Sequence, residues 1–380
     1  MRNLPKILTS WKIFSFVFLK DIKGLFIPSF FFLVSTLVNL TNSISSSGLS
    51  LNIALPLASC IFALWLIHLH IDRRYSLYLK KQIPFVLGLC PETKYRDMIN
   101  EVTSTAEKQN KLKIETVEDE YNLEDEDWRF HRSEPLPPDS KEWKKTLRKV
   151  TRRFESLSQR VPGEKVYHFF LNCPATFALG LGALIGPRET YVAYHYQPGK
   201  GDQVYFPQID FSGSQPREGG THYIKTEVEE YRYINLELDQ ENQGGQEKLE
   251  GKGDEKNQYE ENRSEDLYVA INLSGHSPVS DTKKLAQEKG ALVAVLSSGF
   301  GGTIPLEEDW VQIVREINSR IEELLETEGP VRLHLFLSMP IVLAFALGAS
   351  FGPFQPITVW HWYRDQKGYQ KVFTLSELER

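Results

Sequence analysis

The sequence predicts an α/β protein in which two N-terminal transmembrane helices precede a duplicated domain with mainly parallel sheets. Two observations predict this fold class. Residues 24–71 form a run of 48 residues without Asp, Glu, Lys or Arg, although such residues make up 25% of the chain. Residues 168–195 recur at 334–361, where 11 of 28 positions are identical without a gap. Because unrelated segments would match at about one position in fifteen, the recurrence indicates an internal duplication.

Each copy of this repeat predicts a strand, a helix and a second strand. An apolar run of strand type precedes Pro174 or Pro340, and proline suits the start of a helix because it lacks the N–H that would be unpaired there. The helix is rich in Ala, Leu, Phe and Gly, so we expect burial on most of its sides, and a Gly-Pro pair ends it. Aromatic strands follow at 191–196 and 357–362. This order is the parallel crossover unit of an α/β sheet.

The duplication extends over two complete α/β halves. In the first half we predict a strand, a helix, a strand and a long helix, at 84–89, 92–110, 111–117 and 141–161. In the second half the same order recurs at 267–273, 279–289, 291–296 and 306–326. Trp143 and Trp310 lie near the starts of the two long helices, at nearly the same distance before the repeated strands.

Polar segments interrupt this order. Residues 118–127 are strongly acidic, and residues 227–266 carry 14 acidic and 5 basic side chains, which is typical of a solvated surface excursion. The alternation at 223–238 predicts a hairpin. The resulting domains are a membrane region, a first half, an acidic insertion or linker and a second half, at 1–81, 82–211, 212–265 and 266–380.

The N-terminal region predicts a membrane hairpin. Residues 4–20 indicate an amphipathic segment in the membrane interface. Residues 24–40 and 51–69 are two spans, each close to the roughly 20 residues that a helix needs to cross a bilayer. Basic residues flank both outer ends and none lies in the connecting loop, so we expect both termini in the cytoplasm of a two-span inner-membrane protein. A cleaved signal peptide fits poorly, because there are two apolar runs.

Composition excludes several classes of protein. A net charge of −6 argues against a generally basic nucleic-acid-binding surface. The three cysteines, Cys60, Cys90 and Cys173, are scattered, which fits a reducing compartment and neither a disulfide scaffold nor a zinc site. We therefore predict no metal and no cofactor.

No catalytic motif stands out. The run GLGALIG at 180–186 reads G-x-G-x-x-x-G and lies inside the apolar helix, so close helix packing explains it better than dinucleotide binding. His168 and His334 fall in strand interiors and are expected to be satisfied core histidines. His195 and His361 fall among aromatic residues, where a structural role is again favoured. The sequence therefore does not predict an enzyme.

A binding site is predicted at the carboxyl ends of the strands. Ligands of open parallel sheets collect there, and the N-termini of the following helices can hold phosphate without a basic surface. The alternative is that these positions are only compact turns. The candidate ligand-binding residues are Gly88, Cys90, Lys94, Asn172, Cys173, Pro174, Arg188, Asn272, Ser274, His276, Ser298, Ser338 and Met339.

The two repeated segments resemble a known family. The strands HFFLNCP and HLFLSMP, with their proline-led helices, Gly-Pro ends and aromatic strands TYVAYHY and ITVWHWY, resemble the SAVED domain, a fusion of two Rossmann-like (CARF-like) α/β halves. With the two N-terminal spans, the whole chain resembles the transmembrane SAVED effectors of CBASS, the cyclic-oligonucleotide-based antiphage systems. The resemblance rests on patterns of apolar and small residues.

The resemblance implies a receptor without enzymatic activity. A cyclic di- or trinucleotide, made by a partner nucleotidyltransferase during infection, would bind between the two halves. The sensor domains would then self-associate and cluster the hairpins, which would disrupt the lipid bilayer of the inner membrane and abort the infection. Two alternatives stay open at this point: a membrane-tethered enzyme that processes nucleotides, and a membrane scaffold that binds only protein.

Overall fold

A computed structural model of the chain describes residues 80–108, 114–186, 189–197, 205–211, 228, 230–239, 265–328 and 332–378. These residues belong to one unit, Lys80–Arg380. The predicted membrane segments at 4–20, 24–40 and 51–69 lie outside them. Of the helices in the described residues, none combines the length and the apolar character needed to span a membrane.

The first half is a sheet flanked by helices. Its elements are, in chain order, β1 (Lys81–Leu89), α1 (Glu92–Lys108), α2 (Ile114–Tyr121), α3 (Asp125–Trp128), β2 (Arg129–Arg132), α4 (Ser140–Arg160), β3 (Lys165–Asn172), α5 (Ala175–Ile185), β4 (Tyr191–Tyr196) and β5 (Tyr205–Asp210). The strand order is β2-β1-β3-β4-β5. Its pairs are parallel except β4 with β5.

The second half has the same plan with one added strand. Its elements are β6 (Ile234–Asp239), β7 (Asp266–Asn272), α6 (Val279–Lys289), β8 (Leu292–Ser298), α7 (Trp310–Glu328), β9 (Arg332–Ser338), α8 (Ile341–Phe351), β10 (Thr358–Tyr363), β11 (Gly368–Thr374) and a 3₁₀ turn (Leu375–Glu377). The strand order is β11-β10-β9-β7-β8-β6. The pairs of β7 with β8, β7 with β9 and β9 with β10 are parallel, and the two outer pairs are antiparallel.

The sheets confirm the duplicated, mainly parallel α/β fold. β8-β7-β9-β10-β11 repeats the order β2-β1-β3-β4-β5, and β6 is added at one edge. Even an irregularity recurs: a β-bulge lies between Ala193 and Tyr194 on β4 and, 166 positions later, between Val359 and Trp360 on β10. A bulge bends a strand locally. The two copies therefore share the register of their strands as well as their order.

The two repeated helices, α5 and α8, pack with their backbones in contact. A Cβ added to Gly182 would overlap the carbonyl oxygen of Phe345, and a Cβ added to Gly348 would overlap the carbonyl oxygen of Leu179. Gly182 and Gly348 are equivalent in the repeat, and so are Leu179 and Phe345. The contact is therefore reciprocal and relates the halves by a pseudo-twofold axis. As predicted, Gly180 and Gly182 of GLGALIG serve close packing, whereas Gly186 is the C-cap of α5, where φ is 73° and an added Cβ would meet nothing within 4 Å.

The strand predicted at 111–117 is wrong. Residues 114–121 form helix α2, and the strand that pairs with β1 is β2, at 129–132. Ile114, Val117 and Tyr121 are three and four residues apart, a helical spacing that the sequence reading overlooked. β2 has only four residues, RFHR, too few and too polar for a strand signature. The acidic stretch at 118–127 is correspondingly not an insertion but parts of α2 and α3.

The predicted hairpin at 223–238 is also wrong in its described part. Residues 234–239 form β6, which pairs antiparallel with β8 instead of with a neighbouring strand. Buried Glu316 on α7 explains this position, because its carboxylate accepts hydrogen bonds from the backbone N–H groups of Arg232, Tyr233 and Ile234 at 3.0, 2.8 and 2.9 Å. The segment interpreted as a linker therefore contributes an edge strand.

The long helix of the second half starts later than predicted, at Trp310 instead of residue 306. The carboxylate of Asp309 accepts a hydrogen bond from the backbone N–H of Gln312 at 3.0 Å, which is the geometry of an N-cap. Residues 306–308 form a turn before it.

We predict that Gly348→Ala destabilises the protein. In a helix interior alanine is more favourable than glycine by about 1 kcal/mol. Its methyl group, however, would force α8 away from the carbonyl of Leu179. Overpacking of this kind costs about 1–3 kcal/mol, and here the neighbour is backbone that cannot rotate away. Thermal unfolding of the full chain should show a lower Tm. Gly299→Ala is the matched control, since its Cβ would meet nothing within 4 Å; equal Tm values for both variants would contradict the packing argument.

Candidate ligand site between the two halves

A cavity of about 310 Å³ lies where the carboxyl ends of both sheets meet. This volume is at the lower end of the range for small-molecule sites, roughly 300–1,000 Å³. Its lining residues come from both halves: Leu171, Asn172, Tyr194, His195, Tyr196, Ser274, Gly302, Thr303, Ile304, Trp310, Met339, Pro340, Ile341 and Val342. The two halves thus build one shared cleft.

The topology explains why these residues meet. β3 ends at Asn172, and its parallel neighbour β4 ends at Tyr196, so both present their last residues at the same edge of the first sheet. The second half contributes the loops that follow β7, β8 and β9, at the carboxyl edge of its own sheet. The close packing of α5 against α8 brings the two edges together.

Aromatic rings form one wall of the cavity. The ring centroids of His195, on the first half, and Trp310, on the second half, are 4.9 Å apart. Tyr196 lies at the end of β4, with 43% of its surface exposed. Trp310 is 1% exposed and supports His195, so the exposed ring of Tyr196 and the half-buried ring of His195 are the stacking surfaces that a planar ligand could reach.

The polar groups of the cavity are uncharged. The hydroxyl oxygens of Ser274 and Ser338 are 2.6 Å apart and hold the loops after β7 and β9 together. Among the lining residues that the structure describes, none is Asp, Glu, Lys or Arg. An anion in the cavity would therefore not be repelled by a carboxylate of the lining. A flat neutral group could enter without displacing water from a charged side chain of the lining.

The N-terminus of α8 opens on the cavity. Its N-cap is Pro340, which makes no side-chain capping hydrogen bond. The first N–H groups of a helix have no partner within the helix, and they carry the positive end of the helix dipole. Pro340, Ile341 and Val342 line the cavity. The first backbone N–H groups of α8 and the positive end of its dipole therefore lie at the cavity wall.

His195 is the one titratable nitrogen base in the described lining. Burial lowers its pKa to about 4, because removal of water disfavours the charged imidazolium. The ring is therefore neutral at pH 7 and can both donate and accept a hydrogen bond. His361, its equivalent, also has a pKa lowered to about 4 by burial.

The structure brings together part of the predicted ligand set. Asn172, Ser274 and Met339 line the cavity, and Ser338 supports it through its hydrogen bond to Ser274. Asn272, the last residue of β7, lies behind them, and its buried side-chain oxygen has no hydrogen-bond partner in the described residues.

Four predicted residues lie at the corresponding edge of the first half, where the space is filled. A Cβ at Gly88 would press into the ring of Tyr95, so no open space remains there. The Cys90 carbonyl is 2.8 Å from Nε2 of His131. Cys173 is buried, and burial raises the pKa of its thiol. Pro174 is the N-cap of α5.

Of the remaining predicted residues, those that the structure describes do not line the cavity. Lys94 and His276 are exposed, on the first turn of α1 and in the loop after β7. Ser298 ends β8 and is half-buried. Arg188 lies outside the described residues.

The predicted core histidines are satisfied, as expected. The Nδ1 atom of buried His168 is 2.9 Å from the Tyr194 hydroxyl, and its Nε2 atom is 2.7 Å from the side-chain oxygen of Gln82. His334 accepts a hydrogen bond from the Trp360 ring N–H at 3.0 Å, and its Nε2 atom is 3.1 Å from the carboxylate of Asp266.

Sequence reasoning missed the aromatic wall. Tyr194, His195, Tyr196 and Trp310 line the cavity, but only the loops after the strands had been considered as a site. A signal was present: Trp143 and Trp310 recur at equivalent places, as do His195 and His361. In the structure each of these tryptophans reaches the histidine of the other half.

A family comparison adds to this geometry. Residues 233–375 match the SAVED family model. The family is described as the SMODS-associated and fused to various effectors sensor domain. The matched segment contains every strand of the second sheet. The SAVED resemblance expected from the repeats is thus supported for the second half, and the family model does not extend to the first.

Solved structures of SAVED/CARF-domain receptors are distantly similar to the chain. The Cap4 receptor of Acinetobacter baumannii with the cyclic trinucleotide 3'3'3'-cAAA has 15% identity and a TM-score of 0.44, over 85% of this chain and 60% of that one. The same receptor with 2'3'3'-cAAA has 14% identity and a TM-score of 0.43, over 85% and 59%. Cap4 of Moraxella osloensis has 11% identity and a TM-score of 0.39, over 77% and 50%. No curated protein matches the chain.

Because burial lowers the pKa of His195 and His361, we predict that the protein loses stability in acid. An unfolded histidine titrates near pH 6.5, but the folded pKa of His361 is about 4. Between these values the unfolded chain binds more protons, so stability falls as pH drops from about 6.5 towards 4. Because His361 stays buried and neutral in the folded state, the free energy of unfolding should be about 2 kcal/mol lower at pH 5 than at pH 7.

Unfolding free energies at pH 7 and pH 5 test this expectation. The loss on acidification should be smaller in His361→Asn than in the wild type. His276→Asn, on an exposed loop residue, should behave like the wild type. An unchanged loss in His361→Asn would show that another group controls the acid sensitivity.

Proposed function

We propose that this chain is an inner-membrane receptor of bacterial antiphage defence that binds a cyclic di- or trinucleotide. The observation that carries the proposal is the cavity into which the carboxyl ends of both sheets and the uncapped N-terminus of α8 open. Open α/β sheets bind ligands at this kind of edge. The match of residues 233–375 to a sensor-domain family supports a receptor role.

The cavity suits one nucleotide unit better than a whole ring. The exposed ring of Tyr196 and the half-buried ring of His195, which packs on the buried Trp310, offer a stacking surface for a base. The free N–H groups of α8 suit an adjacent phosphate. With about 310 Å³ available, the other nucleotides of the ring would lie at the opening, where Thr303 and Tyr196 are exposed.

The membrane part of the proposal rests on the sequence. Residues 24–71 lack charged side chains, and basic residues flank the run on both sides. Binding of the ligand, supplied by a partner nucleotidyltransferase, would favour head-to-tail association of the sensor domains, a heterologous contact that need not close. Association would cluster the hairpins, disrupt the bilayer and abort the infection.

The proposal includes no turnover of the ligand. In the part of the chain that the structure describes, no group of three His, Cys, Asp or Glu side chains is placed to hold a metal ion. The Gly-rich run that resembles a dinucleotide motif is occupied by the contact between α5 and α8. Chromatography of the ligand after incubation checks this point, because hydrolysis products would favour a nucleotide-processing enzyme instead.

A charge placed at the opening should change ligand affinity in a predictable direction. Thr303 is exposed and lines the cavity. A carboxylate there would repel a phosphodiester and a lysine would attract it, and about 1.4 kcal/mol in either direction is tenfold in Kd. We expect Thr303→Glu to weaken and Thr303→Lys to strengthen binding of 3'3'3'-cAAA or 2'3'3'-cAAA by the full chain in nanodiscs, measured by calorimetry.

The control for this experiment is Ser280→Glu. Ser280 is an exposed residue of α6 that does not line the cavity, and its variant has the same net charge as Thr303→Glu. It should bind like the wild type. If Thr303→Glu and Thr303→Lys bind alike, the cavity is not the ligand site.

Membrane damage should depend on the ligand. Liposomes loaded with dye and containing the full chain should release it when a bound cyclic oligonucleotide is added, and the Thr303→Glu variant should need about tenfold more ligand. Ser280→Glu again serves as control. Retention of dye at a ligand concentration that saturates binding would refute membrane disruption and leave the receptor role to be judged by the calorimetry.

A further inference from the structure

The pseudo-twofold axis creates two equivalent positions between the halves. At the first position, Trp310 of the second half packs against His195 of the first, with ring centroids 4.9 Å apart. At the second position, Trp143 of the first half packs against His361 of the second, at 5.0 Å. Each tryptophan ring N–H donates to a proline carbonyl at 2.9 Å, Pro305 in one case and Pro137 in the other.

The first position is the cavity, whereas the groups of the second position bond to one another. There, the hydroxyl of Thr176 is 2.9 Å from Nδ1 of His361. The equivalent of Thr176 is Val342, which cannot make this bond and lines the open cavity instead. The same architecture is therefore open on one side of the axis and joined by side-chain contacts on the other.

Tyr363 makes the central contacts of the second position. Its hydroxyl accepts a hydrogen bond from the Trp143 ring N–H at 2.7 Å and donates one to the carbonyl of Pro137 at 2.9 Å. Its aromatic ring lies against His361, with centroids 4.9 Å apart. Burial raises the pKa of Tyr363 to about 12, so the hydroxyl keeps its proton at neutral pH.

The residue equivalent to Tyr363 is Gln197, and it forms no such bridge. The side-chain oxygen of Gln197 is buried without a hydrogen-bond partner in the described residues. The first position therefore lacks, among the described residues, the polar bridge that Tyr363 forms at the second. This difference lies beside the cavity, one residue after Tyr196.

We propose that Tyr363 closes the second of the two equivalent positions, so that each chain holds its ligand in one cavity only. The consequence for the ligand rests on the proposed function. One nucleotide unit of a cyclic oligonucleotide would enter the cavity beside His195, and the corresponding place beside His361 would accept none. Tyr363 and Gln197 would thus determine how much of the ring one chain recognises.

Cys173 allows the closure to be measured without any ligand. It is the equivalent of Met339, which lines the open cavity; the two side chains are 7% and 5% exposed, so the test compares changes in reaction rate at each position and not their exposure. The first arm uses the full chain with Cys60→Ser and Cys90→Ser, so that Cys173 is the remaining thiol. Cys90→Ser is expected to fold because Ser274 occupies the equivalent place in the second half.

In this background Tyr363→Gln should speed the reaction of Cys173 with a thiol reagent by about tenfold, because a thiol reacts through its thiolate and burial suppresses that form. Tyr363→Phe, which keeps the ring in place, should react within about twofold of the parent. An unchanged rate in Tyr363→Gln, or an equally fast rate in Tyr363→Phe, would overturn the proposal. Tm values confirm that the variants are folded.

The second arm is the mirror image and covers the case in which Tyr363→Gln does not fold. In a chain without native cysteines, Met339→Cys places the thiol in the open cavity, and Gln197→Tyr should slow its reaction by about tenfold. Gln197→Phe, which supplies the ring without the hydroxyl, should react within about twofold of Gln197→Tyr. An unchanged rate with Gln197→Tyr would refute the role of this residue pair.

Calorimetry with the two cyclic trinucleotides then links the closure to the ligand. Gln197→Tyr should weaken binding by at least about tenfold. Absence of binding by the wild type would contradict the proposed function and leave the thiol measurements valid. Normal binding by a Gln197→Tyr variant whose cavity is closed to the reagent would show that the ligand binds elsewhere.

Discussion

The backbone contact between α5 and α8 is the constraint on which the rest of the structure depends. Gly182 and Gly348 allow each helix to lie against a carbonyl of the other, and no side chain fits at either place. Because the two glycines occupy the same position in the repeat, the contact relates the halves by a pseudo-twofold axis. That axis brings the carboxyl edges of two separate sheets to one cleft. A single half would have an edge but no cavity.

The duplication supplies two equivalent positions, and later divergence separates their roles. Thr176 and Tyr363 join the second position through hydrogen bonds to His361, Trp143 and a backbone carbonyl. Their counterparts, Val342 and Gln197, leave the first position open. An asymmetric cavity suits one part of the ring-shaped ligand that we propose.

Much of the fold could be predicted from the sequence because the repeat doubles each signal. The apolar helices at Pro174 and Pro340, the aromatic strands and the packing role of the glycines all follow from patterns that occur twice. β2 could not be predicted, since its four residues have no period and its position depends on pairing with β1. The predicted hairpin at 223–238 gave β6 the wrong partner for a similar reason: Glu316, more than seventy residues away in sequence, holds this strand beside β8 at the edge of the sheet. Some of the predicted loops line the cavity, but its aromatic wall was not predicted, because the contact of each tryptophan with the histidine of the other half arises only in the tertiary structure.

Hydrogen exchange of the full chain with and without a bound cyclic trinucleotide tests the central claim most directly, since amide protection reports local opening on each half separately. The account predicts that the ligand slows exchange at the end of β4 in the first half and at the start of α8 in the second, together and with the same dependence on ligand concentration. Protection confined to one half, or protection at neither place under saturating ligand, would contradict a site built jointly by the two halves.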